Sequence, residues 1–243
     1  MNIEYASASV VVLGAFRPDS FQPKALAVAK VISPKDATLA QILMLMPGQA
    51  IQFGLPWSTI LVDSSRFQVT TTEAPYIRIS DFVVTALHDL DTKFSVTAVG
   101  INYEAHFDAG SFQKRDAIGA RLAPPRAWGE WGKSITESME RDPATNLHGG
   151  AMNITMRLPF ATAEVAGWRD VSVGPSSKVD PPSGIVMRSN HHLILKSAFA
   201  EQGDALNNPS KEDTEGVLLK ALADGFDDSI KEAESIFCEV VEL

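Results

Sequence analysis

The stretch FSVTAVGINYEAHFD, residues 94–108, decides the fold. Val99, Ile101, Tyr103, Ala105 and Phe107 alternate with Gly100, Asn102, Glu104, His106 and Asp108. Successive side chains of a strand point to opposite faces, so strict period two predicts a strand with one face buried and one polar. Such half-buried strands belong to antiparallel sheets, whereas doubly wound parallel sheets read as continuous apolar runs.

Working outward, Val10 to Phe16 (VVVLGAF) reads as a buried strand closed by Arg17-Pro18. Residues 21–32 read as a helix, with Ser20 as N-cap and Pro23 in its first turn. A loop with Pro47-Gly48 follows. Residues 50–72 look like a strand meander, with Asp63-Ser64-Ser65-Arg66 as a hairpin turn. Residues 77–90 place Ile79, Phe82, Val83, Ala86 and Leu90 on one helical face.

Beyond residue 108, a short helix is expected near 112–120, then a loop through LAPPRAWGEWG. Met152, Ile154, Met156, Leu158 and Phe160 alternate with Asn153, Thr155 and Arg157, another half-exposed strand. Residues 174–184 form a connection and 185–196 a further strand. A final helix spans about 211–236, with Ser210 and Asp213 resembling a capping box. Its apolar stripe is Leu219, Leu222, Phe226, Ile230, Ala233 and Phe237.

The expected class is α+β with antiparallel sheets: a ferredoxin-like N-terminal half carrying an extra strand, and an amphipathic C-terminal helix. Residues 1–110 and 111–243 are the two α+β halves, either separate or one continuous domain.

The chain of 243 residues carries 21 Lys and Arg against 30 Asp and Glu, a net charge of −9. Residues 201–243 hold 12 acids and 3 bases, which accounts for all of it. An acidic tail repels phosphate and argues against nucleic-acid binding through that end. Cys238 alone forms neither an internal disulfide nor a thiolate metal cage, and beside Glu239 it is not set up as a nucleophile. The N-terminus has no basic n-region, and no apolar run approaches the roughly 20 residues of a membrane span. A cytoplasmic protein with no membrane association, no metal and no cofactor is expected.

Four constellations carry candidate chemistry. Glu104, His106 and Asp108 share one strand face, which makes them candidate acid/base catalysts or hard-metal ligands, or simply a solvated row. His148 lies in the loop Asn146-Leu-His-Gly-Gly150, a place where catalytic residues are common, but no nucleophile motif adjoins it. Asp224, Asp227, Asp228 and Glu232 form the outer face of the last helix, a surface for a basic partner or for solvent. Lys114, Arg115, Arg121, Arg126 and Lys133 form a sparse basic cluster, the site of any nucleic-acid contact.

Two other features are weaker. Ala127 to Ser134 (AWGEWGKS) fits a relaxed phosphate-loop pattern, but Leu122-Ala-Pro-Pro-Arg126 cannot supply the buried strand that must precede one. His191 and His192 point to opposite strand faces and do not chelate together, with His191 on the apolar side.

Arg66-Phe-Gln-Val69, Ala74-Pro75-Tyr76, a helix ending Ala86-Leu87 and Gly100-Ile-Asn-Tyr103 follow an apolar N-terminal strand. In this order, residues 8–108 resemble a sporadically distributed bacterial family of uncharacterised proteins. The resemblance implies no activity. Its sporadic distribution implies mobile genes, such as defence cassettes or prophage.

The leading expectation is therefore a non-catalytic interaction or assembly protein, a homo-oligomer or a subunit of a complex. A hydrolase using the Glu104/His106/Asp108 row is the first alternative. A nucleic-acid-contacting subunit is the second.

Overall fold

The computed structural model describes residues 3–90, 94–139, 150–179, 183–196 and 211–242. It is a mixed α+β fold built on one large antiparallel sheet. The strands are β1 (Ile3–Ala15), β2 (Gln41–Met46), β3 (Ala50–Leu55), β4 (Ser58–Asp63), β5 (Arg66–Thr71), β6 (Ser95–Asp108), β7 (Ile154–Ala161), β8 (Val165–Pro175) and β9 (Gly184–Leu195). Among the described residues they form a nine-stranded sheet in the order β2-β3-β4-β5-β1-β6-β9-β8-β7. The helices are α1 (Pro23–Val28), α2 (Pro34–Leu39), α3 (Ile77–Asp89), α4 (Phe112–Leu122), α5 (Gly129–Met139) and α6 (Lys211–Val241).

β6 is the half-buried strand that its alternation predicts, and it lies inside the sheet. Ile101 and Tyr103 are buried, and Asn102 and Glu104 face the other way, half-buried. β6 pairs on one side with β1 and on the other with β9, so the sheet runs without a break across residue 110.

One face of the sheet carries Ala8, Val10, Val12, Phe67, Val69, Ile101 and Met187, all buried. Helices cover this face. Phe82 of α3 lies against Phe67, and Phe237 of α6 stacks on Tyr103 at 5.8 Å and 17°. The Tyr103 hydroxyl donates to Glu234 Oε1 at 3.0 Å, which pins α6 across the sheet. Burial, and then the Glu234 charge, push that hydroxyl's pKa up.

Several elements differ from expectation. The single helix at 21–32 is instead a 3-10 turn (Pro18–Phe21) and two short helices. α1 ends where Lys30 takes a positive φ of 61°, and Pro34 starts α2 behind a Ser33 cap, whose Oγ accepts from Asp36 N–H. Gln41–Met46, which falls in the expected loop ahead of the meander, is strand β2. Its ILMLM run has no alternation because it is an edge with both faces open. The loop through residues 122–132 holds a 3-10 turn (Pro125–Trp128) and the start of α5. β8 has no clean apolar alternation, because Gly167 and Arg169 interrupt it.

The apolar row of β7 is not buried as a half-exposed strand requires. Met156 and Leu158 are exposed at the second edge of the sheet. In α6 the fully buried stripe begins at Leu218, and Leu219 is half-buried.

Candidate functional site

The face of the sheet opposite α3 and α6 is polar and forms a hollow of about 830 Å³. Strand pairing builds it in cross-strand rows. Thr70, Ser9, Asn102, Asn190 and Asp170 are directly opposed on β5, β1, β6, β9 and β8. One row along, Ser7, Glu104, Arg188, Ser172 and Thr155 face one another on β1, β6, β9, β8 and β7. In the row on the other side of the first, Gly100 faces Val11 and His192, and a Cβ there would stand 3.4 Å from Asn190 Oδ1 and 3.7 Å from Asn102 Nδ2.

Glu104 is the hub of one end. Its Oε1 accepts from His106 Nε2–H at 2.9 Å and from Lys178 Nζ at 2.7 Å, and its Oε2 accepts from Arg188 Nε–H at 2.6 Å. Burial opposes its ionisation, but the three donors outweigh burial and hold its pKa down at about 2.

His106 is only 1% exposed. The Ser176 hydroxyl accepts from the backbone N–H of Lys178 and Val179 at 3.0 Å each, so its own proton goes to His106 Nδ1, 2.7 Å away. His106 therefore carries its proton on Nε2, facing Glu104. The order hydroxyl–imidazole–carboxylate is that of a nucleophilic relay. Its hydroxyl, however, belongs to a residue 8% exposed that is already engaged by two backbone donors. This chain ties the β8–β9 connection to β6 and presents no nucleophile to the hollow.

Asp108 does not join the other two members of its row. Its Oδ1 accepts from Gly110 N–H at 2.8 Å and from the Ser183 hydroxyl at 2.6 Å, which lower its pKa. Among the described residues no group of three or more His, Cys, Asp or Glu is placed to hold a metal ion. His148 lies outside the described residues.

At the other end of the hollow, Asp170 accepts two hydrogen bonds at 2.7 Å from Arg157, whose guanidinium also lies over Trp168 at 4.6 Å. His192 stacks on Trp168 at 4.3 Å. Sequence reasoning missed Ser176, Lys178 and Arg188. Only the β6–β9 register, which sets Arg188 opposite Glu104, brings Arg188 there, and no local pattern signals it.

The other candidates are dispersed. Asp224, Asp227 and Asp228 are exposed on α6, and Lys231 lies 4.0 Å from Asp228. Glu232 pairs instead with Arg169 at 2.8 Å, a guanidinium only 6% exposed that also donates to Ser229 O. In the basic cluster, Arg115 is committed to Asp116 at 2.9 Å and Lys133 to Glu130 at 2.6 Å. Lys114, Arg121 and Arg126 are exposed. The phosphate-loop pattern is resolved as a 3-10 turn running into α5, with Lys133 and Ser134 inside that helix and no strand before it.

His191 lies beneath α6, 2.6 Å from Ser229 Oγ and 3.3 Å from Arg169 Nη2. Burial, then the charges of Arg169 and His192, push its pKa from 6.5 down to about 4. A histidine kept neutral when folded takes up a proton on unfolding, so stability falls as pH drops from about 6.5 to 4. The expected loss is on the order of 3 kcal/mol at the acid end of that window. Urea denaturation of wild type and His191→Gln across it should show a shallower decline in the variant. Parallel curves would refute this assignment.

No protein-family model and no curated protein matches the chain. Among solved structures, a rolling circle replication initiator protein from Geobacillus stearothermophilus aligns with a TM-score of 0.31 and 8% identity, covering 90% of this chain and 78% of that one. A likeness that slight carries no argument about function. Among the described residues no helix is long and apolar enough to cross a membrane.

Proposed function

We propose that this is a non-catalytic assembly protein of the cytoplasm, self-associating or joining a larger complex through the edge of its sheet. The observation that carries the reading is β2. It is an outermost strand, and Ile42, Leu43, Leu45 and Met46 are all exposed on it. An edge strand presents unpaired N–H and C=O groups that can pair with another chain. Soluble proteins usually blunt such an edge with lysine, proline or a bulge. β2 has a register irregularity between Ile42 and Met44, but no charge and no proline. Four large apolar side chains beside open backbone favour pairing with a second strand over contact with water.

The same reading takes the order β4-β5-β1-β6 as a split βαβ, ferredoxin-like half, with α1 and α2 in one crossover and α3 in the other. The β2–β3 hairpin is then the added element that carries the contact. Asp224, Asp227 and Asp228 offer a second, acidic surface to a basic partner.

Light scattering during gel filtration tests the proposal. Wild type should self-associate, or co-purify in fixed ratio with a product of its own operon. Leu43→Lys with Leu45→Lys should abolish that association while the melting temperature stays near wild type. A wild-type chain that is strictly monomeric and purifies alone, or a double variant that still assembles, would overturn it.

A further inference from the structure

We infer that the polar hollow and the tryptophan pair beside it form a track for single-stranded nucleic acid, a role separate from the edge contact of β2. Trp128 and Trp131 are 59% and 62% exposed, with ring centroids 5.5 Å apart at 66°. Two large rings left in water at one place are unusual on a soluble surface, and free aromatic faces are what unpaired bases stack on. Arg126, in the same 3-10 turn as Trp128, is exposed and forms no ion pair with a described residue. A hollow of about 260 Å³ beneath the two rings shares Met152 and Asn153 with the large polar hollow, so the two meet at the start of β7.

Inside the polar hollow, Asn102 and Asn190 are directly opposed on neighbouring strands. Neither side chain hydrogen-bonds to another described residue. Paired amide donors and acceptors match the edges of bases. One row along, Glu104 holds Arg188 through Nε, and the two Nη groups have no partner among the described residues. That leaves a planar fork of the kind that grips phosphate. The two rows are about 7 Å apart along the strand, a spacing comparable to that of base and phosphate within one nucleotide.

The charges agree with this. Arg188 and Lys178 exceed Glu104 by one positive charge, and Asp170 is matched by Arg157. The acidic outer face of α6, with Asp224, Asp227 and Asp228, lies on the opposite side of the sheet, so those carboxylates are not presented to the hollow. A polypeptide would satisfy the amides but would leave the two arginines and the exposed rings unused.

The test is fluorescence anisotropy of the intact chain with a labelled oligothymidylate of about 20 nucleotides, long enough to cover the track. Binding should quench tryptophan fluorescence and weaken linearly on a log–log plot against salt. Trp128→Ala with Trp131→Ala, and separately Asn190→Asp, should each weaken it by about tenfold or more. Arg188→Ala should weaken it and lower the salt slope by about one. Glu239→Gln on α6, an exposed position away from the hollow, should bind as wild type does. Melting temperatures near wild type would show that the variants, all altered at exposed or half-exposed side chains, are folded. No binding at low salt, equal affinity for a duplex of the same length, displacement by polyglutamate as readily as by unlabelled oligonucleotide, or variants that bind like wild type would each overturn the inference.

Discussion

Deleting residues 208–243 is expected to give insoluble or unfolded protein. The helix thereby lost, α6, supplies Leu218, Leu222, Phe226, Ala233 and Phe237, each no more than 1% exposed. These side chains cover Ile101, Tyr103 and Phe107 of β6, a strand inside the sheet. Removal would open a contiguous apolar face far larger than a soluble monomer tolerates. It would also leave the buried Arg169 without its carboxylate and the Tyr103 hydroxyl without its acceptor. A graded version is Phe226→Ala, which should cost about 3–5 kcal/mol in urea denaturation. A truncated chain that remains soluble and keeps a cooperative thermal transition would show that α6 is an accessory to the sheet and not part of its core.

Replacing Glu104 by Ala should cost about 2–3 kcal/mol at neutral pH. A purely solvated strand face predicts almost no cost, and the structure replaces that expectation because one carboxylate serves His106, Lys178 and Arg188 at once. Most of the cost comes from His106, whose buried Nε2–H would lose its acceptor. Lys178 and Arg188 are about half exposed and can return to water. Glu104→Gln keeps an acceptor for that N–H and should therefore recover part of the loss.

The pH dependence has a definite sign. The folded pKa of about 2 lies below the ordinary 4.5, so this stabilisation is complete above 4.5 and disappears as pH falls through 2. The Glu104→Ala variant should lack that component of acid denaturation. A loss below about 0.5 kcal/mol, within the range of ordinary surface substitutions, would mean the network contributes nothing to folding.

The strands and helices that the sequence determined are those whose burial is periodic. The alternation of β6 and the 3.6-residue stripe of α6 each record contact with one flat neighbour, and such contact leaves a local trace. The class, α+β on an antiparallel sheet, follows from them. β2 and β8 left no such trace. An edge with two open faces imposes no period, and a strand carrying a buried Arg169 departs from apolar alternation.

The candidate site divides in the same way. Glu104 and His106 were legible as neighbours because residues two apart on a strand must share a face. That Asp108 turns to Ser183, and that Arg188 and Lys178 close on Glu104, depends on the register of β6 with β9 and on the turn between β8 and β9. Pairing register is a relation between segments about 80 residues apart, and no local pattern in either segment encodes it. The sequence by itself determined which residues could face one another. The tertiary structure alone decided which of them meet, because hydrogen-bond partners are chosen by strand register and loop path and not by composition.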